Sequence, residues 1–170
     1  LYERSGSYRM VIQDALLYGA GRLFEEFERL KAFLKKEGLF SQSHKQAIPF
    51  YSRKIGIVTA PTGAAIQDIR NVSMRRNPYI QLILYPAKVQ GDGAADTIVK
   101  GIHALEKTGV DVIIVGRGGG SIEDLWAFNE EKVARAIFEC QTAVISAVGH
   151  ETDTTITDFA ADLRAPTPSA

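Results

Sequence analysis

Four short apolar runs, separated by stretches of helical periodicity, limit what this chain can fold into more than any other feature. They are Lys54–Thr59, Ile80–Tyr85, Asp111–Val115 and Ala143–Val148. Runs of this length, rich in Val and Ile and without polar alternation, read as strands buried on both faces. Between them lie amphipathic stretches. One runs from Thr62 to Arg76 with Ala65, Ile69 and Val72 facing in; the next, Ala94–Lys107, turns Ile98, Ile102 and Leu105 inward; the last is Glu130–Glu139. Thr62, Asp92 and Asn129 stand where helix caps belong, and Glu130 and Glu131 suit the positive end of a helix dipole. Strand–helix alternation of this kind predicts an α/β domain, a mostly parallel open sheet with helices on both faces.

The totals set the outer bounds. A chain of 170 residues can bury one good core. Twenty Lys and Arg balance 20 Asp and Glu, so no global charge draws the chain to nucleic acid or membrane, and polyanion binding requires a local patch. The single cysteine, Cys140, cannot close an internal disulfide and fits a reducing, cytoplasmic compartment. No run approaches membrane-spanning length, and no signal peptide is visible. The chain starts without Met and ends on Pro168-Ser169-Ala170, so it reads as a fragment of a longer protein.

Upstream of the core, Tyr8, Met10 and Ile12 alternate with polar residues as in a half-buried strand that Gly19 and Gly21 break. A helix over Arg22–Glu37 follows. Its stripe is Leu23, Phe27, Leu30 and Leu34 with Phe24 beside it, and Gly38 sits at the C-cap position. The helix reads as a connector or a cover. Residues 40–53 read as a linker.

In open α/β sheets ligands bind outside the carboxyl ends of the strands. Three of the four strands end in unusual loops: Thr59-Ala60-Pro61-Thr62-Gly63, Gly116-Arg117-Gly118-Gly119-Gly120-Ser121, and Gly149-His150-Glu151-Thr152-Asp153. Parallel strands point the same way, so Asp68, Arg117, His150 and Asp153 converge on one edge. Arg117 has little packing reason to stand between glycines, and its planar fork suits a phosphate. Thr62, Gly63, Gly118, Gly119, Gly120 and Ser121 supply amides and hydroxyls for an anion. His150 leaves a buried strand with acids beside it, and imidazole exchanges protons near neutrality. Asp153 can orient that ring, hold a cation or cap a helix starting at Thr154. Asp68, by position alone, is an ordinary solvated helix carboxylate. Glu123 and Asp124 suit a metal or simply the start of a helical turn. His44 and His103 read as surface or structural, and Trp126 and Phe128 as core. No zinc-ligand spacing and no Gly-x-x-x-x-Gly-Lys-[Ser/Thr] phosphate loop occurs, and Ser121 occupies the third glycine position of a dinucleotide fingerprint.

Longer motifs carry a resemblance. Arg117-Gly-Gly-Gly-Ser-Ile-Glu-Asp-Leu-Trp-Ala-Phe-Asn-Glu-Glu131 resembles the hallmark of the exodeoxyribonuclease VII large subunit. So does Val144-Ile-Ser-Ala-Val-Gly-His-Glu-Thr-Asp153, continuing through Asp158-Phe-Ala-Ala-Asp-Leu-Arg-Ala-Pro-Thr-Pro-Ser169. Shorter matches are Glu37-Gly-Leu-Phe40, Pro61-Thr-Gly-Ala-Ala-Ile-Gln-Asp-Ile69 and Val89-Gln-Gly91. Ala60 departs from the pattern, which usually has Ser there. The resemblance implies a bacterial cytoplasmic nuclease that degrades single-stranded DNA from both ends to short 5′-phosphorylated products. It implies that residues 1–19 are the tail of a truncated OB-fold, 20–48 a connecting helix and linker, and 49–170 the catalytic domain. A C-terminal helical region, absent here, would gather several small subunits. The catalytic positions carried over are Asp68, Arg117, His150 and Asp153. The resemblance fixes no metal; Mg2+ is the candidate cofactor, although some members work without added divalent cation. On the residues alone, a nucleotide-binding α/β enzyme and a non-catalytic DNA-binding module remain alternatives.

Overall fold

A computed structural model describes residues 18–170. The strand expected over residues 8–17 and the OB-fold tail lie outside the described residues. Helix α1 (Tyr18–Lys36) begins earlier than expected, with Gly19 and Gly21 inside it rather than ahead of it. At its far end the Leu39 amide donates to Leu34 O and the Gly38 amide to Lys35 O, the paired bonds of a Schellman cap around Gly38. Phe27 and Leu34 are buried against the domain, with Leu30 packed beside them, so α1 is a cover. Residues 40–53 include a 3₁₀ turn, Gln42–His44, and are fastened to the domain. Lys45 Nζ donates to the carbonyls of Phe159 (2.5 Å) and Ala161, the Gln46 amide to Asp162 Oδ1 (2.7 Å), and Gln46 Nε2 to Cys140 O (2.8 Å). His44 sits edge-on to Phe138, and His103 is half-buried on a helix.

The expected core is present. It consists of β1 (Lys54–Thr59), α2 (Ala64–Arg76), β2 (Gln81–Pro86), α3 (Ala94–Lys107), β3 (Val112–Arg117), a 3₁₀ turn (Trp126–Asn129), α4 (Glu131–Glu139) and β4 (Val144–Val148). Two further elements follow, α5 (Ile156–Ala160) and a two-residue strand β5 (Leu163–Arg164). The sheet order is β2-β1-β3-β4-β5, and every pairing is parallel. The register aligns Gly56, Ile113 and Val144 in one row and Ile57 with Ile114 and Ile145 in the next. Alternate rows face opposite ways. Val58, Ile113, Val115, Val144 and Val148 join the core with α3 and α4, whose Ile98, Ile102, Val133 and Ile137 are buried. On the other face α2 sets Ala65 and Ile69 inward, beside an apolar groove of about 460 Å³ that includes Ile55, Ile114, Ile145 and Leu163.

Helix starts differ from expectation. Gly63 (φ 148°) and Gly93 (φ 75°), not Thr62 and Asp92, are the N-cap residues of α2 and α3, because the chain enters each helix through a dihedral that side chains resist. Glu130, not Asn129, is the N-cap residue of α4. Asn129 is almost wholly buried, and its Oδ1 accepts the first helical amide of α5, from Ile156, at 2.9 Å. The side chain therefore caps a helix distant in sequence. Among the described residues no helix is long and apolar enough to cross a membrane.

Candidate active site at the carboxyl edge of the sheet

The loops after β3 and β4 are spliced together. Arg117 is the last residue of β3 and pairs with Val148, the last of β4, and the Gly149 amide donates to Arg117 O at 3.1 Å. Gly149 turns the chain with φ 75°, and a Cβ there would meet Asp153 Oδ2 at 2.6 Å, so only glycine fits. The turn brings Asp153 back on His150: Asp153 Oδ2 accepts the His150 amide at 2.8 Å and lies 3.6 Å from Nδ1. The carboxylate thus fixes the backbone of the histidine and stands beside the ring, close enough for an ion pair but beyond a hydrogen bond. Asp153 does not cap α5. That role falls to Thr155, in a capping box with Asp158.

The His150 ring lies on the glycine loop. A Cβ on Gly119 would overlap its edge, and even Nε2 would be 2.7 Å away. The side chain is 71% exposed, so the ring is seated on Gly119 but open to solvent. Arg117 is turned into its own loop. Its NH1 donates to Asp124 O at 2.7 Å and its NH2 to Gly119 O at 3.2 Å. The loop is closed by Ser121 and Asp124, each backbone amide donating to the other's side-chain oxygen at 3.3 Å. Glu123 and Asp124 accordingly begin a short turn, and Asp124 serves the loop. Trp126 and Phe128 are core residues, Phe128 fully buried.

Two hollows flank this ridge. One, of about 240 Å³, lies between the loops after β1, β2 and β3 and includes Thr62, Gly63, Gln90, Arg117 and Gly118. The other, of about 470 Å³, lies towards α1 and includes Gly120 and Asp153. The structure therefore brings Arg117, Gly118, Gly119, Gly120, His150 and Asp153 together, with Thr62 and Gly63 across the smaller hollow. Ser121 is turned to closing its loop. Asp68 is half-exposed on α2 and makes no hydrogen bond or ion pair with the other three among the described residues.

Sequence reasoning missed the support beneath the histidine loop. Arg164 on β5 donates from NH2 to the carbonyls of Glu151 (2.9 Å) and Asp153 (2.7 Å). Its Nε stands 3.8 Å from Asp158 Oδ2. Asp158 is itself buried and accepts Ser146 Oγ at 2.5 Å and the Thr155 amide at 2.8 Å. A polar chain thus runs from the middle of β4 through α5 and β5 to the loop holding His150. Lone pairs and donors in it are met inside the protein, which stiffens such networks. No three His, Cys, Asp or Glu side chains come close enough to cage a cation among the described residues. The donor set at this edge does not fit a pre-built metal site.

A parallel α/β domain with loops clustered at the carboxyl edge places its ligand site there. The chain matches the family described as "Exonuclease VII, large subunit" over residues 39–170 and belongs to it. It is 68% identical to a protein named exodeoxyribonuclease 7 large subunit in Lachnoclostridium phytofermentans. Proteins of the same name in Clostridium botulinum (strain Loch Maree) and Bacillus cereus (strain AH187) are 54% and 58% identical. Each alignment covers all of this chain but 42%, 43% and 38% of those relatives, so the chain spans about two-fifths of their length.

Proposed function

We propose that this domain hydrolyses phosphodiester bonds in single-stranded DNA, as the catalytic part of a bacterial exonuclease acting from both ends and releasing short 5′-phosphorylated products. The observation that carries the reading is the seating of His150 on Gly119, which sets a proton-exchanging ring against the glycine loop. Family membership supports the same chemistry. In the reaction water attacks phosphorus, a new P–O bond forms and the P–O3′ bond breaks. His150 takes the proton from water or gives one to the departing 3′ oxygen; both assignments suit an exposed imidazole. Asp153 holds the His150 backbone and steadies the ring when it carries charge. The amides of Gly118, Gly119 and Gly120 and the side chain of Arg117 offset charge that develops on the non-bridging oxygens. Arg117 reaches the phosphate by exchanging its loop carbonyls for phosphate oxygens. Thr62 and Gly63 face the same phosphate from the smaller hollow, and Asp68 assists proton transfer from α2.

The whole protein, cytoplasmic on this reading, assembles with several copies of a small subunit through a C-terminal helical region beyond this chain. The test is a gel assay on end-labelled single-stranded DNA with the full large subunit and its small subunit, with and without EDTA. Short fragments should accumulate from either labelled end, and the EDTA lane reads metal dependence. An assembled enzyme that leaves single strands intact in both lanes contradicts the proposal.

A further inference from the structure

The larger hollow beside the His150 ridge differs from the smaller one in chemistry. Its α1 wall carries Phe24, Phe27, Glu28 and Lys31, which share one helical face: Phe27 and Glu28 lie one turn on from Phe24, and Lys31 two turns on. Its opposite wall is Gly120 and Ile122 from the glycine loop and Thr152 and Asp153 from the histidine loop. Phe24 is 58% exposed, and its ring stands at the rim. A lone exposed phenylalanine needs no explanation. This one borders a hollow that shares Gly120 and Asp153 with the candidate active site.

Charge separates the two hollows. The smaller one has Arg117 and no acid among its lining residues, which suits a phosphate. The larger one has Glu28 and Asp153 against Lys31, and Lys31 is already paired with Glu28 at 3.3 Å. A phosphate is repelled there. An uncharged planar group is not, and the hydroxyls of Thr152 and Thr154 make no hydrogen bond among the described residues, so they can donate to or accept from its edge.

We propose that the larger hollow seats one unpaired nucleobase of the strand being cleaved, stacked on Phe24, with its edge towards Thr152 and Thr154. The inference rests on the nuclease reading and extends it. A strand crossing the ridge leaves its phosphate over Gly119 and His150 and drops the adjoining base towards α1. A base held in this way is out of its duplex, so the seat selects single strands without reading sequence. Helix α1 is then part of the substrate site as well as a cover.

The test uses the full large subunit assembled with its small subunit. Phe24→Ala should raise KM for a single-stranded oligonucleotide about tenfold, the usual scale for one lost stacking partner, with kcat within about twofold. Phe24→Trp should keep the wild-type KM, and its added fluorescence should be quenched by the oligonucleotide but not by an oligonucleotide of abasic sites. Wild-type KM in Phe24→Ala overturns the seat. So does Phe24→Leu matching wild type, which marks a plain apolar contact, or equal quenching by the abasic strand. The fluorescence arm needs no hydrolysis, so failure of wild-type cleavage counts against the nuclease reading while quenching still decides the base seat.

Discussion

Replacing Gly119 with alanine tests the contact on which the proposed chemistry depends. The new methyl overlaps the His150 ring, and even the far nitrogen, Nε2, lies only 2.7 Å from it. Carbon and nitrogen in ordinary contact sit roughly 3.5 Å apart or more, so the ring must retreat by about 1 Å at its far side and further at its near edge. The backbone does not object, because Gly119 is not among the glycines with positive φ. The fold does not object either, since the His150 side chain is 71% exposed and can swing into solvent. Stability should therefore change by less than about 1 kcal/mol. Turnover should not survive as well. A misplacement of about 1 Å at a reacting group costs on the order of 100-fold, or about 2.7 kcal/mol in the barrier. The assay is kcat on end-labelled single-stranded DNA in the assembled enzyme, beside a thermal melt of the same protein. A Gly119→Ala enzyme with kcat within twofold of wild type would refute the seating of His150 on the loop as a catalytic requirement.

Other outcomes follow from the same contacts. Arg164→Ala removes the donors to Glu151 O and Asp153 O, so kcat should fall about tenfold to 100-fold while single-strand affinity holds, with partial recovery in Arg164→Lys; unchanged kcat would count against the clamp. The Asp111 carboxylate accepts the amides of Lys54 and Arg53, and these bonds hold its pKa below the usual range. Its folded pKa is thus depressed, and its stabilisation is present above the unfolded value of about 3.9 and lost as pH falls through the folded one. Wild type should lose stability more steeply than Asp111→Asn in that acid window, and superimposable acid-unfolding curves would contradict the assignment. Burial pushes the Cys140 thiol up to about 11, so the folded protein should resist iodoacetamide at pH 8 and react only when unfolded, as mass spectrometry would read.

The parts of the fold that were legible from sequence are those with continuous apolar runs. β1, β3 and β4 follow from Val and Ile buried in the sheet, and the shared direction of parallel strands follows from the alternation; β2 was expected to be buried on both faces, but it is an edge strand with no buried residue, because its apolar run does not say which strands will flank it. β5 carried no such signal: Leu163 and Arg164 are two exposed residues whose strand character comes only from lying beside β4. The caps expected at Thr62 and Asp92 do not form because a cap depends on the dihedral by which the chain enters the helix, and Gly63 and Gly93 supply that dihedral. Asn129 looked local, but its partner is Ile156 across the fold. At the site, the loop positions of Arg117, His150 and Asp153 were readable from strand ends. The inward turn of Arg117 was not, since it depends on carbonyls that only the folded loop presents. Arg164 was invisible for a related reason, because its role exists only once β5 lies beneath the histidine loop.

On the proposed mechanism His150, placed by Asp153 and Gly119, moves the proton in phosphodiester cleavage. Single-turnover cleavage of end-labelled single-stranded DNA by the assembled His150→Ala enzyme, measured beside equilibrium binding of the same strand, tests it most directly. The rate should fall by about 10²- to 10⁴-fold with affinity within about threefold of wild type. Cleavage at the wild-type rate, or a loss of binding that accounts for the whole loss of rate, would contradict it.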